Sequence, residues 1–154
     1  MHRPSYLTPQ EAAACAQAGL VACSTIVQKD RLETNQKCLI VGASGGIGTL
    51  AIQMAKQCGA YVIAVCSEKN SSLVKSLGAD EVIDYTSTSF VDAFRNKTKL
   101  DLVVDLVGGR EIEKNAMKVL KKSGIFATVV GPVQYIGDKY LGWIGLVKLF
   151  AYLG

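Results

Sequence analysis

The residues best suited to chemistry in this sequence form the glycine-rich segment GASGGIG at 42–48. It lies between a short apolar run, 38–41, and a long amphipathic run that begins at Ile47. A strand that leads through such a turn into a helix can bind a pyrophosphate, because backbone N–H groups and the positive end of the helix dipole point at the anion. The spacing therefore predicts a nucleotide site, although it identifies neither the nucleotide nor the reaction.

A serine, a tyrosine and a lysine further along the chain have the spacing of an acid–base triad. Together with the glycine turn, Ser123, Tyr135 and Lys139 match the pattern of short-chain dehydrogenases. In that family the serine ends the fifth strand, and the tyrosine and lysine lie one turn apart on a helix. Here Ser123 precedes the fifth predicted strand, and Pro132 and Gly137 disfavour a helix around the tyrosine. A short-chain dehydrogenase is therefore only a minor alternative.

The elements that must position the glycine turn follow from the alternation of short apolar runs with amphipathic ones. We predict strands at 38–42, 61–66, 81–84, 100–106 and 125–130, and helices at 46–58, 71–77, 89–96 and 111–122. This order implies right-handed βαβ units and a parallel sheet. The predicted fold class is α/β, a doubly wound Rossmann sheet with five strands visible and the sixth missing.

A further helix is predicted before the nucleotide fold. Thr8 has the character of an N-cap, Pro9 suits the first helical position, and Glu11 has the spacing of a capping box. The helix is expected to run to about Gln28. We divide the chain into a linking helix, a dinucleotide-binding domain and an apolar tail, at 1–30, 31–133 and 134–154.

The composition narrows the class of protein. The 154 residues are 49% hydrophobic and carry a formal net charge of +4, with basic residues scattered rather than clustered. This distribution argues against nucleic-acid binding, which needs a basic patch or stripe. Without C-x-x-C spacing, the five cysteines are expected to be reduced thiols, most of them in core or strand positions. The apolar tail is too short to span a bilayer, which needs about 20 apolar residues.

Five ordered segments resemble the medium-chain dehydrogenase/reductase superfamily, in its zinc-independent quinone oxidoreductase branch. They are PQEAA at 9–13, the glycine turn, LGADEVIDY at 77–85, DLVVDLVGG at 101–109, and the pairs SG and VG at 123–124 and 130–131. Within that branch the chain is similar to the reticulon-interacting-protein-like subgroup. The resemblance covers nearly the whole chain and implies a domain that binds a nicotinamide cofactor.

The end of the second strand indicates NADPH rather than NADH. NAD-preferring Rossmann domains place an acidic residue there to bond the adenosine ribose. Here Cys66 is followed by Ser67 and Lys69, a hydrogen-bond donor and a cation for a 2′-phosphate. Glu68 would oppose this preference if it turned into the site, and Asn70 is an alternative polar partner.

The resemblance also assigns the remaining cofactor contacts. The pyrophosphate would meet Ser44, Gly45, Gly46 and Ile47. Tyr85 would line the 2′-phosphate pocket, Leu106 and Val107 would lie near the adenine or a ribose, and Val130 and Gly131 would lie near the nicotinamide. Asp105 is either a ligand contact or a structural cap at the end of its strand.

The function implied by the resemblance is hydride transfer from NADPH to a quinone or enone. No zinc is expected, because the only histidine is His2, and the catalytic residues are unknown. The family's catalytic domain would precede Thr8, so the alternative is a non-catalytic nucleotide-binding or interaction fragment. We expect cofactor binding with little turnover, a homo-oligomer or partner covering the tail and sheet edge, and a cytoplasmic location with a mitochondrial one as the alternative.

Overall fold

The computed structural model describes residues 4–27, 32–95 and 98–130, and the backbone of 135–136 and 139–140. The strands of the main sheet are β1 (Lys37–Val41), β2 (Tyr61–Cys66), β3 (Glu81–Asp84), β4 (Leu100–Asp105) and β5 (Leu120–Thr128). The helices are α1 (Pro9–Ile26), α2 (Gly46–Gln57), α3 (Ser71–Ser76), α4 (Phe90–Ala93) and α5 (Arg110–Val119). Two short strands follow, β6 (Tyr135–Ile136) and β7 (Lys139–Tyr140), and they pair with each other.

The main sheet is parallel, with the strand order β3-β2-β1-β4-β5. Val41 at the end of β1 is level with Val65 on β2 and with Asp105 on β4. Because the strands run in one direction, their carboxyl ends and the loops that follow meet at one edge. The chain order reverses between β1 and β4, and such a reversal leaves a crevice for a ligand. The predicted α/β Rossmann fold is confirmed.

Helices cover both faces of the sheet. Alternate residues of β1 point to opposite faces, as the two-residue period of a strand requires. Cys38 and Ile40 belong to an apolar cluster that includes buried residues of α1, α2 and α3. Leu39 and Val41 belong to a second cluster, which includes buried residues of α4 and α5. The result is a three-layered domain whose central strands are buried on both sides.

The first helix begins at the predicted capping box. The Thr8 hydroxyl accepts a hydrogen bond from the Glu11 N–H at 3.2 Å, and the Glu11 carboxylate accepts one from the Thr8 N–H at 2.8 Å. The bonds from Thr8 hold the pKa of Glu11 below its usual value. Further along α1, Ala22 and Ile26 are fully buried in the core that includes α2. The predicted end of this helix near Gln28 falls outside the described residues, and the domain boundaries stay a prediction.

The junction of α5 and β5 differs from the prediction. The helix predicted at 111–122 ends at Val119, and the strand predicted at 125–130 occupies Leu120–Thr128. Leu120 pairs with Leu100 of β4, and the register then shifts so that Ile125 pairs with Leu102. Pairing with β4 thus overrides the helical pattern of the LKK segment, as tertiary contacts commonly override local propensity.

The same correction applies to the serine of the alternative triad. Ser123 lies inside β5 rather than before it. Tyr135 pairs with Tyr140 and Ile136 pairs with Lys139, so the tyrosine and the lysine lie on different strands of an antiparallel pair. They are therefore not one helical turn apart, which is the arrangement that a short-chain dehydrogenase requires.

Three smaller expectations have different outcomes. The helix predicted at 89–96 is a single turn, Phe90–Ala93, capped by the Ser89 hydroxyl, which accepts a bond from Val91 N–H at 3.2 Å. Of the apolar tail at 134–154, the structure describes only the backbone of 135–136 and 139–140. Three of the five cysteines are in core or strand positions, as expected: Cys38 and Cys66 are buried in strands, and Cys58 is half-buried and packs against the core. Cys15 and Cys23 are exposed on α1.

Candidate functional site

The turn after β1 leaves backbone donors uncovered. Gly45 is the N-cap of α2 and makes no side-chain capping bond, and the first turn of the helix carries no acidic residue. The first helical hydrogen bond runs from the Thr49 N–H to the Gly45 carbonyl at 2.9 Å. The N–H groups of Gly46, Ile47 and Gly48 precede that bond and have no partner within the helix. Together with the helix dipole they favour an anion at this point.

The glycines of this turn have separate roles. Gly42 has a φ of +80°, and a Cβ there would lie 2.9 Å from Val107 Cγ2. A Cβ at Gly48 would lie 2.5 Å from the carbonyl oxygens of Gly42 and Ala43, so only glycine lets α2 pack against the turn. A Cβ at Gly46 would meet no atom within 4 Å. Gly42 and Gly48 therefore hold the turn in shape, while Gly46 leaves open space beside the uncovered N–H groups, which fits a pyrophosphate.

Cavities lie on both sides of the glycine turn. The larger has a volume of about 720 Å³ and is lined by Val41, Gly42, Ser44, Gly45, Val65, Cys66, Ser67, Lys69, Asn70, Tyr85, Phe90, Leu106, Val107 and Ile112. The smaller has a volume of about 460 Å³ and is lined by Ala13, Ala14, Gln17, Ala18, Val21, Gly42, Gly45, Gly46, Ile47, Gly48 and Leu106. The turn therefore borders both cavities, and α1 forms a wall of the smaller one that the sequence did not assign to the site.

The predicted residues after β2 meet in the larger cavity. Ser67 and Lys69 line it together with Tyr85, which follows β3 and is 64% exposed. Within the described part of the chain the Lys69 ammonium has no ion-pair partner. Glu68 is exposed and is not among the lining residues. The cavity therefore carries an unpaired cation near the strand end, without the Glu68 carboxylate.

The last residue of β2, Cys66, is uncharged. Burial raises the pKa of the Cys66 thiol, and the charges of Asp84 and Glu68 raise it further, so the thiol stays protonated. Asp84 is held by the Thr86 N–H at 3.0 Å and by the Thr86 hydroxyl at 2.7 Å. These bonds lower the pKa of Asp84, and the bond from the Thr86 N–H has the larger effect. Asp84 thus acts as a fixed, hydrogen-bonded end to β3.

A carboxamide joins the glycine turn to the loop after β2. Asn70 Nδ2 donates to Ser44 Oγ at 3.1 Å and to Ser67 Oγ at 3.3 Å. The sequence suggested Asn70 only as an alternative polar partner. Its contact with a serine 26 positions away depends on the fold, and no local pattern predicts it.

Asp105 is the structural cap of the turn after β4. Its side chain is buried, and one carboxylate oxygen accepts bonds from the N–H groups of Val107 at 3.0 Å and Gly108 at 2.8 Å. The other oxygen accepts a bond from the Thr128 hydroxyl at 3.3 Å. This arrangement places Leu106 on both cavities and leaves Val107 58% exposed at the edge of the larger one. Of the two alternatives for Asp105, the structure favours the cap.

Of the two predicted contacts after β5, the structure describes only Val130. Val130 lines neither of the two cavities and instead lies against Gly108, where its Cγ1 would be 2.6 Å from an added Cβ. Gly131 lies outside the described residues. Among the residues that the structure describes, no group of three or more His, Cys, Asp or Glu side chains could hold a metal ion. In the same part of the chain, no helix is long and apolar enough to cross a membrane.

The sequence model of the zinc-binding dehydrogenases matches residues 46–136. The chain belongs to this family. It is 42% identical over 144 residues to NAD(P)H oxidoreductase RTN4IP1, mitochondrial, of Danio rerio, which covers 90% of this chain and 37% of that relative. It is 44% identical over 98 residues to trans-enoyl reductase pgmF of Aspergillus terreus, covering 64% of this chain and 28% of the relative.

A solved structure agrees with these relatives. The quinone oxidoreductase from Coxiella burnetii superposes with a TM-score of 0.76 at 34% identity, covering 82% of this chain and 38% of that one. The chain thus spans less than two fifths of the length of these relatives. The family match and the fold together confirm the resemblance to the medium-chain dehydrogenase/reductases. The chain matches a segment of relatives that are named as NAD(P)H, quinone and enoyl reductases.

Proposed function

We propose that this chain is the NADPH-binding domain of a zinc-independent quinone or enone oxidoreductase. The observation that carries the choice of NADPH is the polar lining after β2. Ser67 and Lys69 line a cavity together with Cys66, whose thiol is neutral, while Glu68 is not among the lining residues. A carboxylate at this position would bond a ribose hydroxyl and repel a 2′-phosphate, whereas a donor and a cation attract it.

The crevice offers each part of the cofactor a set of residues. Ser67 and Lys69 would hold the 2′-phosphate, with Tyr85 beside them. The pyrophosphate would contact Ser44, Gly45, Gly46 and Ile47. The adenine or a ribose would contact Leu106 and Val107. The nicotinamide end would lie towards Val130 and Gly131. The bound cofactor supplies a hydride for a conjugated acceptor, and the residues of this chain bind and orient it.

The acceptor and the setting are also proposals. Relatives named as a quinone oxidoreductase and a trans-enoyl reductase favour a conjugated carbonyl compound. Because the chain spans less than two fifths of those relatives, we assign the acceptor contacts to other segments and expect this chain to bind NADPH with little turnover. The mitochondrial relatives favour a mitochondrial over a cytoplasmic location. The outer strands β3 and β5 favour a homo-oligomer, and a clean monomer in sedimentation would contradict that.

Titration of the chain with NADPH and NADH, followed by nicotinamide fluorescence, tests the cofactor. The wild type is expected to prefer NADPH, and Lys69→Ala to lower the affinity for NADPH about tenfold, or about 1.4 kcal/mol, while NADH changes little. Lys75→Ala, at an exposed lysine of α3 that does not line the cavity, is the matched control. Equal affinity for both dinucleotides would contradict the NADPH assignment, and binding of neither would contradict a nucleotide domain. NADPH consumption with a quinone and an enone measures turnover.

A further inference from the structure

Asn70 connects two serines that come from different loops of the larger cavity. Its Nδ2 lies 3.1 Å from Ser44 Oγ in the glycine turn and 3.3 Å from Ser67 Oγ after β2. The Asn70 backbone N–H donates to the Ser67 carbonyl at 2.9 Å, which holds the main chain of Asn70 in the short turn between β2 and α3. One half-buried side chain therefore sets the separation of two hydroxyls that line the same cavity.

We propose that Asn70 is a positioning residue that makes both serine hydroxyls donors toward the phosphates of the cofactor. The proposal rests on the NADPH function proposed above. A carboxamide nitrogen carries two hydrogens and no acceptor, so each serine oxygen accepts one hydrogen from Asn70. Each hydroxyl proton then remains available to a second acceptor. Phosphate oxygens supply such acceptors, and bonds to a charged acceptor are among the stronger ones.

The two serines would each bind a different phosphate group of the cofactor. Ser44 belongs to the turn that presents the uncovered N–H groups of α2, and Ser67 lies beside Lys69. A ligand that carries both a pyrophosphate and a 2′-phosphate would use both hydroxyls at once. Asn70 would therefore contribute to NADPH selectivity by holding the two donors at a fixed spacing, without touching the cofactor itself.

The experiment measures the affinity of the chain for 2′,5′-ADP and for ADP by calorimetry. Asn70→Ala is expected to lower the affinity for 2′,5′-ADP about fivefold. Asn70→Asp is expected to lower it about thirtyfold or more, because a carboxylate accepts the serine protons and repels the phosphate. ADP lacks the 2′-phosphate but keeps the pyrophosphate that Ser44 would meet, so the affinity for ADP is expected to fall less than the affinity for 2′,5′-ADP with either variant. Asn115→Ala on α5, outside both cavities, is the control, and thermal melting verifies that each variant is folded.

A double-mutant cycle separates positioning from a general structural effect. If Asn70 acts through the two serines, then Asn70→Ala changes the affinity for 2′,5′-ADP less than about twofold when Ser44 and Ser67 are both already alanine. Effects that simply multiply would overturn the proposal, as would an Asn70→Ala variant with wild-type affinity for 2′,5′-ADP while the wild type binds NADPH. A wild type that binds neither NADPH nor 2′,5′-ADP would overturn both the proposed function and this inference.

Discussion

At the amino ends of the strands charged side chains pair with one another, whereas at the carboxyl ends polar groups face open cavities. The Asp80 carboxylate, just before β3, accepts bonds from Lys56 Nζ at 2.8 Å and from the Val62 N–H at 2.7 Å. The Asp101 carboxylate on β4 accepts bonds from the Lys37 N–H at 3.0 Å and from Lys121 Nζ at 2.7 Å. Each of these carboxylates ties neighbouring segments together and leaves no charge open for a ligand.

The carboxyl ends show the opposite arrangement. The N–H groups at the start of α2 lack a side-chain cap, and Lys69 has no ion pair among the described residues. The Tyr85 side chain is 64% exposed. Uncovered donors at a helix terminus cost stability unless water or a ligand satisfies them. The same sheet therefore separates its tasks: substitutions at the amino ends are expected to change stability, and those at the carboxyl ends to change nucleotide affinity.

The largest effect is expected where the site and the packing coincide. Gly48→Ala places a Cβ 2.5 Å from two carbonyl oxygens of the turn, and we expect it to lower the free energy of unfolding by about 3 kcal/mol. Gly46→Ala is the matched variant, because its Cβ would meet no atom within 4 Å. Its free energy of unfolding should stay within about 1 kcal/mol of the wild type. Its affinity for NADPH should fall more than about tenfold, because the methyl group fills the space beside the donors. Urea unfolding and NADPH titration measure both. Unchanged affinity in Gly46→Ala would contradict this.

A smaller effect is expected at the amino end, from Asp80→Asn. The substitution removes the charge that pairs with Lys56 and weakens the bond from the Val62 N–H. We expect the free energy of unfolding to fall by about 2 kcal/mol, while the affinity for NADPH stays unchanged. Asp92→Asn is the control, because its exposed pair with Arg95 should contribute no more than about 0.5 kcal/mol. A loss of NADPH affinity in Asp80→Asn at full stability would remove the distinction between the two ends.

The sequence was sufficient for the parts of the fold that local patterns determine. The apolar runs predicted all five strands of the main sheet, and the Thr8–Glu11 spacing predicted the start of α1. The LGAD segment at 77–80 could be matched to a family motif, but the sequence alone did not show what its glycine and aspartate do in the fold. In the structure its glycine lies against Lys56, where a Cβ at Gly78 would be 2.9 Å from Cγ. Its aspartate makes the ion pair with the same lysine.

The parts that the sequence did not predict depend on contacts between distant segments. The strand assignment of Leu120 follows from its pairing with Leu100, which outweighs the helical period of the preceding residues. The role of Asn70 follows from the approach of Ser44, and the wall formed by α1 follows from its packing on α2. Spacing along one chain cannot show which loops meet at the carboxyl edge beyond the general rule that they do.

The smallest effect is expected from Asp101→Asn, and it depends on pH. Burial alone would raise the pKa of Asp101, but the bonds from Lys121 and from the Lys37 N–H lower it overall. A carboxylate whose pKa is lower in the folded state stabilises the fold above its unfolded pKa, and this contribution is lost as the pH falls through the folded value. At pH 7 the variant should be about 1 kcal/mol less stable than the wild type.

That difference in stability should shrink below about pH 4, where the unfolded carboxyl becomes protonated. Urea unfolding at a series of pH values from neutral to acid measures it, with NADPH affinity at pH 7 as the control for the other end of the sheet. Lys121→Met, which removes the ammonium and keeps the Lys37 N–H, should lose a smaller part of the stability. A gap between wild type and Asp101→Asn that widens as the pH falls would mean that the carboxylate is not stabilising. The pairing seen at the amino end would then be a consequence of the strand register rather than a support for it.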